Sequence, residues 1–181
     1  MTTIQLKEFI KTGKFGSISI GSTKTDIVNV LGKKFEFANC DEAQIIKYGW
    51  YEFFYWTETE ILFGIQNDHV QADCTNHKEM INYKSKLWTI DKWPLQDNKN
   101  MTFGEVEYFL KEENIPYEII PAYKVSHENV IKCSDSNVAF DFVNEYSLVE
   151  INKNGKFKNQ KEFVEGEQHN YILNGIRIIE Y

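Results

Sequence analysis

Apolar and polar positions along this chain follow two rhythms, one helical and one strand-like. The helical rhythm occurs twice, in Thr23-Lys24-Thr25-Asp26-Ile27-Val28-Asn29-Val30-Leu31 and in Thr102-Phe103-Gly104-Glu105-Val106-Glu107-Tyr108-Phe109-Leu110. Each copy opens on a threonine, places an acid one turn later, and continues with apolar residues at helical spacing. The threonine oxygen takes a free backbone N–H, and the acid returns the bond while complementing the helix dipole. Each copy therefore predicts a capped amphipathic helix. Gly32 supplies the stop of the first, at a position that favours left-handed glycine. The second is expected over 102–113, with Met101 and Val106 at the two positions of a hydrophobic staple. A shorter helix is expected over 3–12, with Ile4, Leu6, Phe9 and Ile10 apolar and Gly13 as its stop.

The second rhythm has the two-residue period of strands. Phe15 to Ile20 alternates, and further candidates fall at about 44–48, 50–56 and 61–66, with Thr57-Glu58-Thr59-Glu60 as a polar turn. Behind the second helix come candidates at 117–120, 129–133, 137–143 and 147–152. Asn154-Gly155 predicts a tight hairpin turn. Asn174-Gly175 predicts another, between Tyr171-Ile172-Leu173 and Ile176-Arg177-Ile178-Ile179, because both residue types tolerate positive φ. Residues 67–100 are polar and irregular, with Pro94 breaking any helix, and the junction between two units is placed near 80–95.

The expected fold is α+β, two tandem helix-plus-antiparallel-sheet units over 1–90 and 91–181, the second ending in a hairpin. One compact domain with 67–100 as an internal loop is the alternative. Glu60 to Asn67 can be laid against Tyr146 to Lys153 as equivalent strands.

Composition narrows the function classes. With 42% hydrophobic and 15% aromatic residues, the chain of 181 has enough apolar material for a core. Its net charge of -7 repels phosphate backbones, so nucleic acid is not the expected partner, whereas a basic protein would be steered toward it. Three scattered cysteines (Cys40, Cys74, Cys133) do not suit a disulfide scaffold and are read as reduced thiols. The N-terminus has no basic start followed by an apolar run, and no stretch reaches the length of a membrane span. A cytoplasmic location without membrane partners is expected.

Candidate chemistry is sparse. His69, Asp73, Cys74 and His77 lie close together, but their spacing matches no common zinc pattern, so neither metal nor cofactor is expected. Cys133 sits in an alternating strand, the setting of a small buried hydrophobe. His127 and His169 are isolated, and no nucleophile elbow, phosphate loop or metalloprotease helix occurs. Carboxylates brought together only by the fold would escape this reading.

The aromatic ribbon Trp50-Tyr51-Glu52-Phe53-Phe54-Tyr55-Trp56 stands out. Alternation puts Trp50, Glu52, Phe54 and Trp56 on one face and Tyr51, Phe53 and Tyr55 on the other. A sheet covered by helices on one face needs only one of these sets. The other is either core against a second layer or a surface for a partner, where Trp and Tyr are common anchors. The candidate partner-binding residues are Trp50, Tyr55 and Trp56, the neighbouring acids Glu58 and Glu60, and Trp88 and Trp93 from the irregular segment.

Ile18-Ser19-Ile20-Gly21-Ser22-Thr23-Lys24-Thr25-Asp26-Ile27-Val28-Asn29-Val30-Leu31-Gly32 resembles the signature of a family of small bacterial α+β modules. These occur in outer-membrane assembly lipoproteins and, in tandem, in the β-lactamase inhibitor protein. The resemblance implies two helix-plus-sheet repeats whose aromatic-rich sheet plugs an enzyme. Size, acidity and the absence of a leader also resemble the immunity proteins of bacterial toxin systems, which implies a basic toxin domain as partner. The expected function is non-enzymatic inhibition by occlusion. A structural or small-ligand-binding domain and an enzyme with a dispersed site are the alternatives.

Overall fold

Both capping threonines work as their spacing predicts. In the computed structural model, which describes residues 1–68, 70, 81–95, 101–122, 129–143, 146–151 and 160–180 (backbone alone at 146–151 and 160–165), three helices are present among the described residues. Helix α1 spans Leu6–Thr12, α2 spans Lys24–Leu31 and α3 spans Phe103–Glu112. At α2 the Asp26 N–H donates to Thr23 Oγ1 at 3.1 Å, and the Asp26 carboxylate accepts from the Thr23 N–H at 2.8 Å and its hydroxyl at 2.7 Å. At α3 the Glu105 N–H donates to Thr102 Oγ1 at 3.2 Å, and the Thr102 N–H donates to Glu105 Oε2 at 2.9 Å.

Hydrogen bonds from the Thr23 side chain, then from its backbone, hold the Asp26 carboxyl below its ordinary value of 3.8. A carboxyl depressed by folding stabilises the native state above its unfolded pKa. Its part in the α2 cap is therefore complete at neutral pH and fades as acid carries it through the lowered folded value. Thr23→Ala and Thr102→Ala are each expected to cost about 1 kcal/mol, read as a lower urea midpoint with unchanged slope.

The amphipathic faces bury Ile27 and Leu31 from α2 and Phe103, Val106 and Leu110 from α3. Val30 and Phe109 are only half-buried at the margins of the core. Gly32 closes α2 at φ 100 and ψ 174, not the left-handed helical cap expected but still a positive φ that favours glycine. A Cβ there would stand 2.7 Å from Cδ1 of the exposed Leu87 side chain, which would have to shift.

The strands are β1 Thr2–Gln5, β2 Glu36–Cys40, β3 Ala43–Tyr48, β4 Tyr51–Trp56, β5 Leu62–Asn67 and β6 Trp88–Asp91 in the first half. The second half adds β7 Tyr117–Pro121, β8 Asn129–Cys133, β9 Ala139–Val143, β10 Tyr146–Ile151, β11 Gln160–Glu165 and β12 Ile172–Ile179. Eight form one antiparallel sheet in the order β2-β3-β4-β5-β12-β9-β8-β7. Strands β1 and β6 pair in parallel, and β10 and β11 pair with each other. The fold is mixed α+β.

Several local expectations give way to tertiary pairing. The helix expected from residue 3 begins at Leu6, because Thr2 to Gln5 are drawn out alongside Trp88 to Asp91. Phe15 to Ile20 is a tight turn bridged by Phe15 and Ile18, both buried, with Gly16 at φ 68. Asn174-Gly175 makes no hairpin: it lies inside β12, which pairs with β5 on one side and β9 on the other. The pairing with β9 shifts register between Leu173 and Gly175, and a Cβ on Gly175 would approach the Asp68 Cα to 3.2 Å. Glycine here serves a close strand approach rather than a turn. The Asn154-Gly155 turn lies outside the described residues. Among the described strands β10 pairs with β11 outside the eight-stranded sheet, so it does not take the place in that sheet that β5 has.

The core lies between the helices and one face of this sheet. Phe15 sits at its centre, its ring 5.8 Å from Phe9, 5.4 Å from Tyr51 and from Phe53, and 5.7 Å from Trp88. The cluster is continuous from Ile4 to Ile178 and draws on both halves of the chain.

Candidate partner-binding face

Residues opposite one another in a sheet share a face. Ile46, Phe53, Ile65 and Ile178 form one register row, are all buried, and belong to the same core cluster as the buried residues of α1, α2 and α3. The next row must point the other way. It crosses all eight strands as Glu36, Lys47, Glu52, Gln66, Arg177, Ala139, Lys132 and Glu118. Lys47 Nζ lies 2.7 Å from Glu52 Oε1, and Gln66 Nε2 donates to Glu52 Oε2 at 2.8 Å. Arg177 grips Asp141 with two bonds of 2.8 Å, from Nε and from Nη2. A ladder of matched charges thus braces the outer face across its middle.

On one side of the ladder this face turns aromatic. Trp56 stacks on Phe63 with ring centroids 4.1 Å apart and planes at 24°, and Phe54 lies 6.2 Å from Phe63. Beside Trp56 is a depression of about 430 Å³ lined by Asp41, Glu42, Trp56, Thr57, Glu58 and Thr59. Two turns build it. The Thr57 hydroxyl donates to the Asp41 carbonyl at 2.8 Å and its N–H to the Glu42 carbonyl at 2.9 Å, so the β2–β3 turn is tied to the β4–β5 turn. Asp41, Glu42 and Glu58 are exposed, whereas Trp56 is half-buried. An indole held flat by its neighbour, with three carboxylates at its rim, sets an apolar aromatic surface directly beside negative charge.

The sequence-derived candidates divide sharply. Trp56 and Glu58 meet in this depression. Glu60 is exposed behind it with Lys24 Nζ 3.7 Å from its Oε1, so its charge is partly matched. Trp50 occupies the β3–β4 turn at the far end of β4, with Lys47 Nζ 5.2 Å from its ring centroid. Tyr55 and Trp88 are corrections. Tyr55 is 0% exposed on the core face, and Trp88 is 1% exposed, its Nε1 donating to the Leu31 carbonyl at 3.2 Å. Neither ring is available to a partner on this surface. Trp93 is half-buried in the 3₁₀ turn Trp93–Leu95, edge-on to Phe109 at 5.9 Å with Lys7 Nζ 5.3 Å from its centroid, and does not join the outer face.

Asp41 and Glu42 carry no signal in the sequence that marks them. The strand before them, β2, has no alternation to announce it, so their turn was not legible as one.

On the other side of the ladder lies a polar pocket of about 250 Å³, lined among others by Gln66, Asp68, Asn129, Asp141, Asn174 and Arg177. Burial raises the Asp141 carboxyl and the nearby Asp68 charge adds to this, while Arg177 opposes both.

Nucleophilic chemistry finds little here. Burial pushes the Cys133 thiol up to about 12, which leaves almost no thiolate at neutral pH. His169 is exposed, with its Nδ1 3.5 Å from Glu167 Oε2. The His69, Asp73, Cys74, His77 group and His127 lie outside the described residues. Among the described residues no three His, Cys, Asp or Glu side chains are gathered as a metal site. No described helix is long and apolar enough to cross a membrane. Compared with known proteins, the chain matches no family model, no curated protein and no solved structure.

Proposed function

We propose that this protein is a non-enzymatic inhibitor that occludes a partner enzyme, most concretely a cytoplasmic immunity protein bound to a basic bacterial toxin domain. The observation that carries the reading is the outer sheet face at Trp56: an aromatic cluster beside three acids, on the side of the sheet opposite the helices. Aromatic anchors supply affinity, and the carboxylates, together with the net charge of -7, steer a cationic surface onto them.

The same reading takes the chain as two helix-plus-sheet units sharing one sheet. Thr23 bridges Ile61 at the head of β5, and Thr102 bridges Ile172 at the head of β12, so each capped helix is stitched to a central strand in the same way. This placement supports the resemblance to tandem inhibitor modules. The pocket at Asp141 and Arg177 favours a second reading, a small-ligand-binding domain.

Co-expression with the product of the neighbouring gene separates the two. An immunity protein is expected to co-purify with that product and to abolish its toxicity. If the neighbour neither binds nor harms cells, inhibition is the wrong class.

A further inference from the structure

Strand β2 ends the eight-stranded sheet, and its outer edge pairs with no other described strand. Antiparallel pairing turns alternate N–H and C=O groups away from β3. These form a row open to another strand, the situation that sheet proteins ordinarily blunt. The opposite end strand, β7, is blunted: it closes on Pro121, which has no N–H to offer. Strand β2 contains no proline, and it leaves Glu36, Phe37, Asn39 and Cys40 exposed, Phe37 to 51%.

The charges around β2 discriminate among occupants. The segment reads Lys33-Lys34-Phe35-Glu36-Phe37-Ala38-Asn39-Cys40-Asp41-Glu42, basic before the strand and acidic after it. Lys33, Lys34, Asp41 and Glu42 are all exposed, and none forms an ion pair with a described residue. A parallel copy would set lysine against lysine. An antiparallel copy sets each basic end against an acidic end.

We infer that β2 pairs antiparallel with β2 of a second copy, about a two-fold axis at Ala38, joining two sheets into one continuous sheet. Opposed residues must share a face, so a two-fold normal to the sheet has to pass where a residue meets its own copy. Ala38 is the middle residue of the strand. With the axis there, Phe37 lies opposite Asn39 of the second copy and Glu36 opposite Cys40, and the basic stretch before the strand, Lys33-Lys34, comes beside the acidic turn after it, Asp41-Glu42. No like charges face each other along the strand, and the basic-to-acidic match at its ends, Lys34 on one copy and Glu42 on the other, occurs twice.

The test is sedimentation of the full chain alone over a concentration series at low salt. A reversible monomer–dimer equilibrium is expected. Lys34→Glu and Glu42→Lys should each raise the dimer dissociation constant about tenfold, since both symmetry-related matches become clashes. The double variant Lys34→Glu/Glu42→Lys should return it to near the parent value. All three variants carry exposed changes, so their melting curves should match the parent and report the fold as intact. A chain that stays monomeric up to about 1 mM, where even small contacts associate, overturns the inference. So does a dimer that ignores the single reversals or is not rescued by the double one. Self-association is read without any toxin present, so failure here leaves the proposed inhibition untouched.

Discussion

Trp88→Ala is expected to lower the stability of this protein by about 3–5 kcal/mol, among the largest effects of any single substitution here. The ring is 1% exposed and lies against four others: it stacks on Tyr83 at 4.2 Å and meets Phe15, Tyr48 and Tyr51 edge-on at 5.7, 6.0 and 6.4 Å. Truncation removes these contacts and opens a cavity that rigid β-strands on one side cannot collapse to fill. It also strands the Leu31 carbonyl, which accepts from Trp88 Nε1 at the C-terminal end of α2, where helix carbonyls lack internal partners. For a domain with a typical total of 5–15 kcal/mol, such a loss leaves a substantial unfolded population near 37 °C. Urea unfolding checks it. A loss under about 1 kcal/mol would mean that Trp88 is far less essential to the core than its burial indicates.

Trp56→Ala is expected to do the reverse: little to the fold and much to the binding proposed for this face. The ring is half-buried and leans on Phe63, so its loss forfeits one stack, worth about 0.5–1.5 kcal/mol, together with part of a surface contact. As a central anchor of an interface it would carry about 2–4 kcal/mol of affinity, a thirtyfold to thousandfold rise in the dissociation constant. Stability, and affinity for the proposed partner, measured on the same preparation separate these contributions. Glu58→Lys should mainly slow association, most at low salt, because an exposed rim charge acts through steering. Glu60→Lys should do so less, since Lys24 already stands against that carboxylate. Unchanged affinity in Trp56→Ala would remove this face from the interface.

The contrast between these two tryptophans marks the limit of what a local pattern encodes. Both are large aromatics in strands, and both were candidates for a partner surface. Alternation within 50–56 correctly separates Tyr51, Phe53 and Tyr55 from Phe54 and Trp56. It does not say which set faces the helices. That depends on the turn at Gly49, the register with β3 and β5, and the path of α2 over the sheet. Trp88 was harder still, because its strand is defined by a parallel partner at the other end of the first half, Thr2 to Gln5.

What the sequence determined by itself was chiefly local. The two helix caps are legible because threonine and acid sit within one turn and need no other part of the chain. The strands of alternating burial are legible for the same reason, since the pleat imposes its period residue by residue. Even so, Asn174-Gly175 carried a strong turn signal and lies in a continuous strand. Hydrogen-bonded neighbours on both sides outweighed the local preference there.

Tertiary structure alone decided the rest. It joined both halves into one sheet through β5 and β12, buried Tyr55 and Trp88, and left Trp56 on the outer face. It also brought Asp41 and Glu42 beside Glu58 through two bonds from Thr57. Those contacts link turns separated along the chain, and their free energy comes from excluding water and satisfying backbone groups across that separation. No pattern within a single segment encodes that.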